Sequence, residues 1–247
     1  MILDKIVTHK KKEIAQLKQT PASLKKQLNN NDFTLITEIK KASPSKGIIS
    51  QDFKPLAQLK QYEKGGAGAI SVLTDSKFFQ GSNQILKNVR EHTDLPVLRK
   101  EFIIKPIQVY ESLFLGADII LLIAAILNQK QLNNLLTLTK DLGLEAIVEV
   151  HNNRDLKKVI ETDADILGIN NRDLHDFTVD LETTSTIINN LEKNNLLDQY
   201  FLISESGIKN ITDIKYLKNI GIDGALIGET LMKSDNPAQK IKTFRGV

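Results

Sequence analysis

The sequence predicts an α/β protein: a single (β/α)8 TIM barrel carrying an N-terminal helical extension. Three observations predict it. From Phe33 to the C-terminus, short runs of Val, Ile, Leu and Ala alternate with amphipathic helical stretches, and no linker interrupts them. The runs are nearly continuous in apolar residues, as parallel strands covered on both faces require. They recur roughly every 20–35 residues, one strand and one helix at a time. A doubly wound sheet shows the same alternation, but no Gly-x-Gly-x-x-Gly follows the first run.

Residues 1–32 read as the extension. Ile2, Leu3, Ile6, Ile14 and Leu17 recur at helical spacing, and Pro21 starts a second short helix. Residues 33–247 are expected to form the barrel as one catalytic domain. Its eight strands are expected at Thr34–Lys40, Ala69–Thr74, Val97–Glu101, Ile119–Ala124, Glu145–Val150, Ile166–Asn170, Phe201–Glu205 and Gly224–Gly228. Glycines at Gly66, Gly116 and Gly221 precede strands, where helices end and the chain turns beneath the barrel.

Composition narrows the function. The chain is 41% hydrophobic and 26% charged, with a mean hydropathy of -0.19, values typical of globular domains. Its longest apolar run, Ile119 to Leu127, falls far short of the roughly 20 residues that cross a bilayer. Lys10, Lys11 and Lys12 follow directly on the short apolar start, so no secretory core is read there. Absence of cysteine rules out disulfides and thiolate chemistry and fits the cytoplasm. The net charge of +3 is too small to suggest nucleic acid, and His9, His92, His151 and His175 lack metal-ligand spacing, so no metal is expected.

Barrels of this kind place their active sites at the C-terminal ends of the strands. There the sequence is unusually polar. The first strand ends in Glu38 and Lys40, two residues apart and therefore on one face. The third gives Arg99, Lys100, Glu101 and Phe102; the fifth, Glu149; the sixth, Asn170, Asn171, Arg172 and Asp173; the seventh, Ser204, Glu205, Ser206 and Gly207. Each charge alone reads as a salt bridge at the barrel mouth. Together they read as a site, because charges inside an apolar barrel must be paired. Desolvation by Val97, Leu98 and Phe102 and repulsion from Lys40 are expected to lower the Lys100 pKa and fit it to donate a proton. Glu149 is the candidate base, with opposing influences on its pKa. Ser206-Gly207 and Gly228-Glu229 suit a phosphate, bound by backbone N–H groups at glycine turns, with the Glu229 side chain directed away.

In order along the chain stand Glu38-Ile39-Lys40-Lys41-Ala42-Ser43-Pro44-Ser45, Ser71-Val72-Leu73-Thr74, Phe79-Gln80-Gly81-Ser82 and Leu98-Arg99-Lys100-Glu101-Phe102-Ile103. Val148-Glu149-Val150-His151, Gly168-Ile169-Asn170-Asn171-Arg172-Asp173-Leu174, Ser204-Glu205-Ser206-Gly207-Ile208 and Ile227-Gly228-Glu229 follow. With these motifs the chain resembles, end to end, the indole-3-glycerol phosphate synthases of tryptophan biosynthesis. The resemblance implies a cofactor-free ring closure of a carboxyphenylamino-deoxyribulose phosphate, with loss of carbon dioxide and water. It assigns Lys100 as general acid, Glu149 as the proton-transfer carboxylate of dehydration, and Lys40 as holder of the substrate carboxylate with a share in the acid role. Glu38 and Asn170 fall in the supporting polar shell. Phe79, Phe102, Leu121, Arg172 and Leu174 fall where the family lines its substrate pocket, Ser43, Ser206, Gly207, Gly228 and Glu229 at phosphate-loop positions, and Glu205 among the residues expected to bind substrate. The partner implied is a small phosphosugar-anthranilate substrate, with neither nucleic acid nor membrane. A monomer is expected, with a dimer as the alternative.

Three departures stand out: Arg99 before the lysine, Glu101 where aspartate is common, and Glu229 where some members carry serine. Two other readings compete. A phosphosugar isomerase barrel would share the phosphate loops but usually employs a cysteine, which this chain lacks. A barrel that binds the metabolite without turnover would not need two desolvated lysines facing a glutamate.

Overall fold

The computed structural model describes residues 22–174 and 176–246. Eight parallel strands close a barrel: β1 (Thr34–Ile39), β2 (Ala69–Leu73), β3 (Val97–Lys100), β4 (Ile119–Ile123), β5 (Glu145–Val150), β6 (Ile166–Asn170), β7 (Phe201–Glu205) and β8 (Gly224–Ile227). Each pairs with its sequence neighbours, and β8 pairs with β1. Following the pairings once round climbs about eight residues, the stagger that closes eight tilted strands. Three strands match the expected bounds to the residue. The other five stop one residue early, where the chain leaves the ladder for the loops of the mouth.

Helices lie between the strands. They are α2 (Pro55–Gly65), α3 (Asn83–Arg90), α4 (Pro106–Phe114), α5 (Gln129–Asp141), α6 (Asn153–Ile160), α7 (Glu182–Lys193), α8 (Ile211–Asn219), α9 (Glu229–Met232) and α10 (Pro237–Arg245), preceded in the chain by α1 (Leu24–Asn30). Their apolar faces and the outward side chains of the strands make one continuous buried layer. The chain turns beneath the barrel at Gly66, Gly116 and Gly221, whose φ of 87°, 84° and 81° a side chain would disfavour. A small hairpin, Ala42–Ser43 against Gly47–Ile48, follows β1 at the opposite end.

Inside the barrel a second apolar cluster, with Ile36, Leu98, Ile119, Leu121, Ile147, Ile166, Ile203 and Leu226, fills the lower part. Leu24 and Leu28 of α1 belong to it, so α1 plugs the end away from the strand C-termini. Glu145, at the start of β5, holds α1 there. Its carboxylate accepts from Ser23 Oγ at 2.6 Å and from the Leu24 and Lys25 N–H groups at 2.7 and 3.2 Å. An anion at a helix N-terminus satisfies donors that the helix itself leaves open. The expected helix before residue 21 lies outside the described residues.

Candidate active site

The interior face of the barrel changes from apolar to charged in its last layer. Because strand side chains alternate, Glu38, Lys100, Glu149 and Glu205 all point inward. Arg99, Asn171 and Ser204, expected at the mouth, belong to the other face. Arg99 reaches Ser112, Asn83 and Glu111 among the helices, at 3.0, 3.1 and 2.7 Å. Asn171 and Ser204 bond each other and Thr184.

Lys100 extends from β3 across the ring to Glu205 of β7, a close ion pair, and lies 3.5 Å from Glu149 of β5. Lys40, one residue past β1, pairs with Glu38 at 2.7 Å. Two glycines make room for these carboxylates. A Cβ on Gly168 would stand 2.6 Å from Glu205 Oε1, and one on Gly228 would collide with Glu38 Oε1.

The electrostatics correct one expectation. Burial alone would lower the Lys100 pKa, but Glu205, Glu149 and Glu38 surround it and push it well above the ordinary lysine value. Lys100 is therefore held protonated, as an ammonium, at neutral pH. Burial would raise Glu149, yet Lys100 and His151 hold it down at about 2. Glu205 goes the other way: burial and the proximity of Glu149 outweigh Lys100 and lift it to about 7. The two carboxylates thus titrate as a pair around one ammonium, Glu149 ionised first. Burial also opposes ionisation of Glu38, but Lys40 and Lys100 keep it below the usual glutamate range.

Above this layer opens a cavity of about 1030 Å³. It is lined by Glu38, Lys40, Ser43, Phe79, Lys100, Phe102, Leu121, Glu149, Asn170, Arg172, Leu174, Ser206, Gly207, Gly228 and Glu229, every residue that the family resemblance assigns to the site except Glu205. Glu205, with 1% of its side chain exposed, sits behind Lys100 and meets the cavity only through it. On the β2–β3 side the Phe79 and Phe102 rings lie 6.2 Å apart, an apolar wall fit for an aromatic ring. Glu101 fixes that wall, its carboxylate accepting from Thr74 Oγ1 at 2.6 Å and from the Phe102 N–H at 2.9 Å. Arg172 donates to the Phe177 carbonyl at 3.0 Å, folding its own loop against the cavity.

On the β7–β8 side Ser206 and Gly207 take φ of 69° and 84°, and Gly228 caps the short α9. The strained serine is held by Asn171 Nδ2, within 3.1 Å of its carbonyl and 3.0 Å of that of Glu205. The Glu229 carboxylate accepts from Lys233 Nζ at 2.7 Å, which neutralises its charge at this end of the cavity. Lys46, Lys209 and Lys233 also line the cavity. Sequence reasoning did not single them out, because exposed lysines are too common to stand out. It also missed His151, whose ring is buried against Glu149.

The family model described as indole-3-glycerol phosphate synthase matches residues 3–244. The chain belongs to that family. It is 57% identical over 241 residues to the indole-3-glycerol phosphate synthase of Petrotoga mobilis, covering 98% of this chain and 95% of that one. It is 43% identical over 258 residues to the enzyme of the same name from Thermoanaerobacter pseudethanolicus, covering 99% and 97%. The family is one of carbon-carbon lyases (carboxy-lyases) in tryptophan biosynthesis, and this chain is an enzyme of that type acting on a small molecule. Solved structures of low identity share the fold. The 3-hexulose-6-phosphate synthase of Salmonella typhimurium has a TM-score of 0.65 at 12% identity, covering 87% of this chain and 97% of that one. Thiamine phosphate pyrophosphorylase of Pyrococcus furiosus has 0.63 at 16%, covering 88% and 96%. Among the described residues no helix is long and apolar enough to cross a membrane.

Proposed function

We propose that this synthase closes the indole ring of carboxyphenylamino-deoxyribulose phosphate in the cavity above Lys100, with the roles divided as follows. The observation that carries the assignment is the pairing of both inward lysines with buried carboxylates beneath a cavity that is aromatic on one side and turn-rich and cationic on the other. The anthranilate ring packs between Phe79, Phe102, Leu121 and Leu174. The phosphate takes backbone N–H groups of Ser206, Gly207, Gly228 and Glu229, with Ser43 and the lysines of the rim supplying hydroxyl and charge. Anchoring both ends brings the reacting carbons together, which removes most of the entropic cost of ring closure.

The ring carbon bearing the carboxylate attacks the ribulose carbonyl, and Lys100 protonates the oxygen as it becomes a hydroxyl. A raised pKa suits this role: the ammonium is always loaded, and the alkoxide it meets is a strong base. Lys40 holds the substrate carboxylate and is the alternative acid. Carbon dioxide leaves with its bonding electrons retained by the ring, restoring aromaticity. The new hydroxyl, protonated by Lys40, then leaves as water while Glu149 takes a proton from the neighbouring carbon, giving indole-3-glycerol phosphate. Glu38 and Asn170 orient the two lysines and the loop carrying Arg172. No cofactor or metal takes part. The chain works in the cytoplasm as a monomer free of nucleic acid, with residues 1–32 as extension and 33–247 as catalytic barrel.

The test is to add the substrate to purified, chelator-treated protein and follow indole fluorescence, for which a chain without tryptophan gives a low background. Turnover with equimolar carbon dioxide supports the reading. Saturable binding without turnover refutes it.

A further inference from the structure

Among the described residues, His151 is a buried side chain at the mouth to which the chemistry above gives no role. It follows β5 directly, and 6% of its side chain is exposed. Its ring does not line the cavity, so it does not touch substrate. Instead it lies between two carboxylates. Nε2 is 3.3 Å from Glu149 Oε1 and Nδ1 is 3.7 Å from Asp155 Oδ2, ion-pair contacts in which neither ring nitrogen makes a hydrogen bond. Asp155 stands in the first turn of α6 and is itself fixed. Its Oδ2 accepts from the His151 backbone N–H at 3.2 Å, and its own N–H is held by Asn152 Oδ1 at 3.0 Å.

The surrounding charges define the sign. On β3, Lys100 faces the other oxygen of Glu149, and Glu205 on β7 pairs with Lys100 from behind. On α6, Lys158 lies near Asp155 while reaching the carbonyls of Ala124 and Leu127 beyond β4. Glu149 and Asp155 are the charged groups that act on the ring itself. Burial would lower the His151 pKa, but Asp155 and Glu149 together carry it up to about 9. At neutral pH the ring is an imidazolium.

We propose that His151 is the positioning residue for Glu149: its ring, seated between Asp155 and Glu149, holds Glu149 Oε1 by ion pairing, so that Oε2 faces Lys100 and the substrate. Glu149 carries one cation on each oxygen, and removing His151 leaves it held from one side only. The inference rests on Glu149 being the proton acceptor. A histidine acting merely as core packing would influence folding but not the protonation of Glu149.

The experiment compares His151→Gln, Asp155→Asn and Glu149→Gln. Gln keeps a donor near Glu149 and loses the charge. Expected for His151→Gln is a roughly tenfold lower kcat with KM within about threefold, and an acid limb of kcat moved up by about one pH unit. Asp155→Asn gives a smaller shift in the same direction. The imidazole signals of the wild-type enzyme, with His151 assigned by its loss in His151→Gln, should titrate near pH 9, and at a lower pH in Glu149→Gln. A neutral His151 ring at pH 7 overturns the proposal, even if His151→Gln fails to fold. So does an unmoved kcat profile in folded His151→Gln when Glu149→Gln is inactive. If Glu149→Gln keeps full turnover, the acceptor assignment itself fails and the inference falls with it.

Discussion

Gly168 touches no substrate, yet its replacement by alanine should damage both stability and turnover. A Cβ there stands 2.6 Å from Glu205 Oε1 and 2.7 Å from Ile147 Cγ2, about 0.8 Å inside ordinary contact. Neither neighbour can leave: Ile147 is fully buried and Glu205 is 1% exposed. Over-packing of this kind costs about 2 kcal/mol. The displaced Glu205 shifts Lys100, its partner across the barrel, and a misplacement approaching an ångström lowers kcat by about 10–10²-fold. Urea unfolding and steady-state turnover measure the two effects. A double-mutant cycle sharpens the test. In a Glu205→Ala background one of the two collisions is gone, so Gly168→Ala should cost about half as much, a coupling of about 1 kcal/mol. Full additivity, or a Gly168→Ala enzyme with wild-type midpoint and kcat, would refute the steric argument.

Glu205→Gln removes a carboxylate whose folded pKa is raised to about 7. A raised carboxylate makes the folded state lose stability as pH rises from about 4.5 to about 7, by roughly 3–4 kcal/mol; chemical denaturation across that range should show the decline in wild type and a flatter profile in Glu205→Gln, with kcat reduced. Glu145→Gln weakens the cap on α1 and should cost about 1 kcal/mol in unfolding experiments without changing kcat, since the cap lies at the far end of the barrel. Asn171→Ala leaves the backbone at Glu205 and Ser206 without its clamp and should cost about 1–3 kcal/mol; it should raise KM more than it lowers kcat, and equal losses in both would contradict a role at the phosphate end.

Much of this was readable from the chain because the strand imposes a strict alternation. Once Glu38 and Lys40 were set on one face, their pairing followed, and the same rule brought Lys100 and Glu149 inward. Arg99, Asn171 and Ser204 occupy the intervening positions of the same strand ends, so they alternate outward and tie the strands to the helices. The Lys100 pKa was expected in the wrong direction for a topological reason. Its strongest partner, Glu205, lies four strands away across a closed ring, and only closure brings the two together. His151 escaped notice because its role depends on Asp155, brought back by the turn into α6. Gly168 and Gly228 look like any strand glycine until the carboxylates above them are placed.

The most direct test of the central claim is single-turnover kinetics of Lys100→Ala with carboxyphenylamino-deoxyribulose phosphate, read by indole fluorescence and by equilibrium binding of the substrate. The assignment predicts a fall in the chemical step of about 10²–10⁴-fold with substrate still bound. An unchanged rate would remove Lys100 from the proton transfer and move the acid role to Lys40.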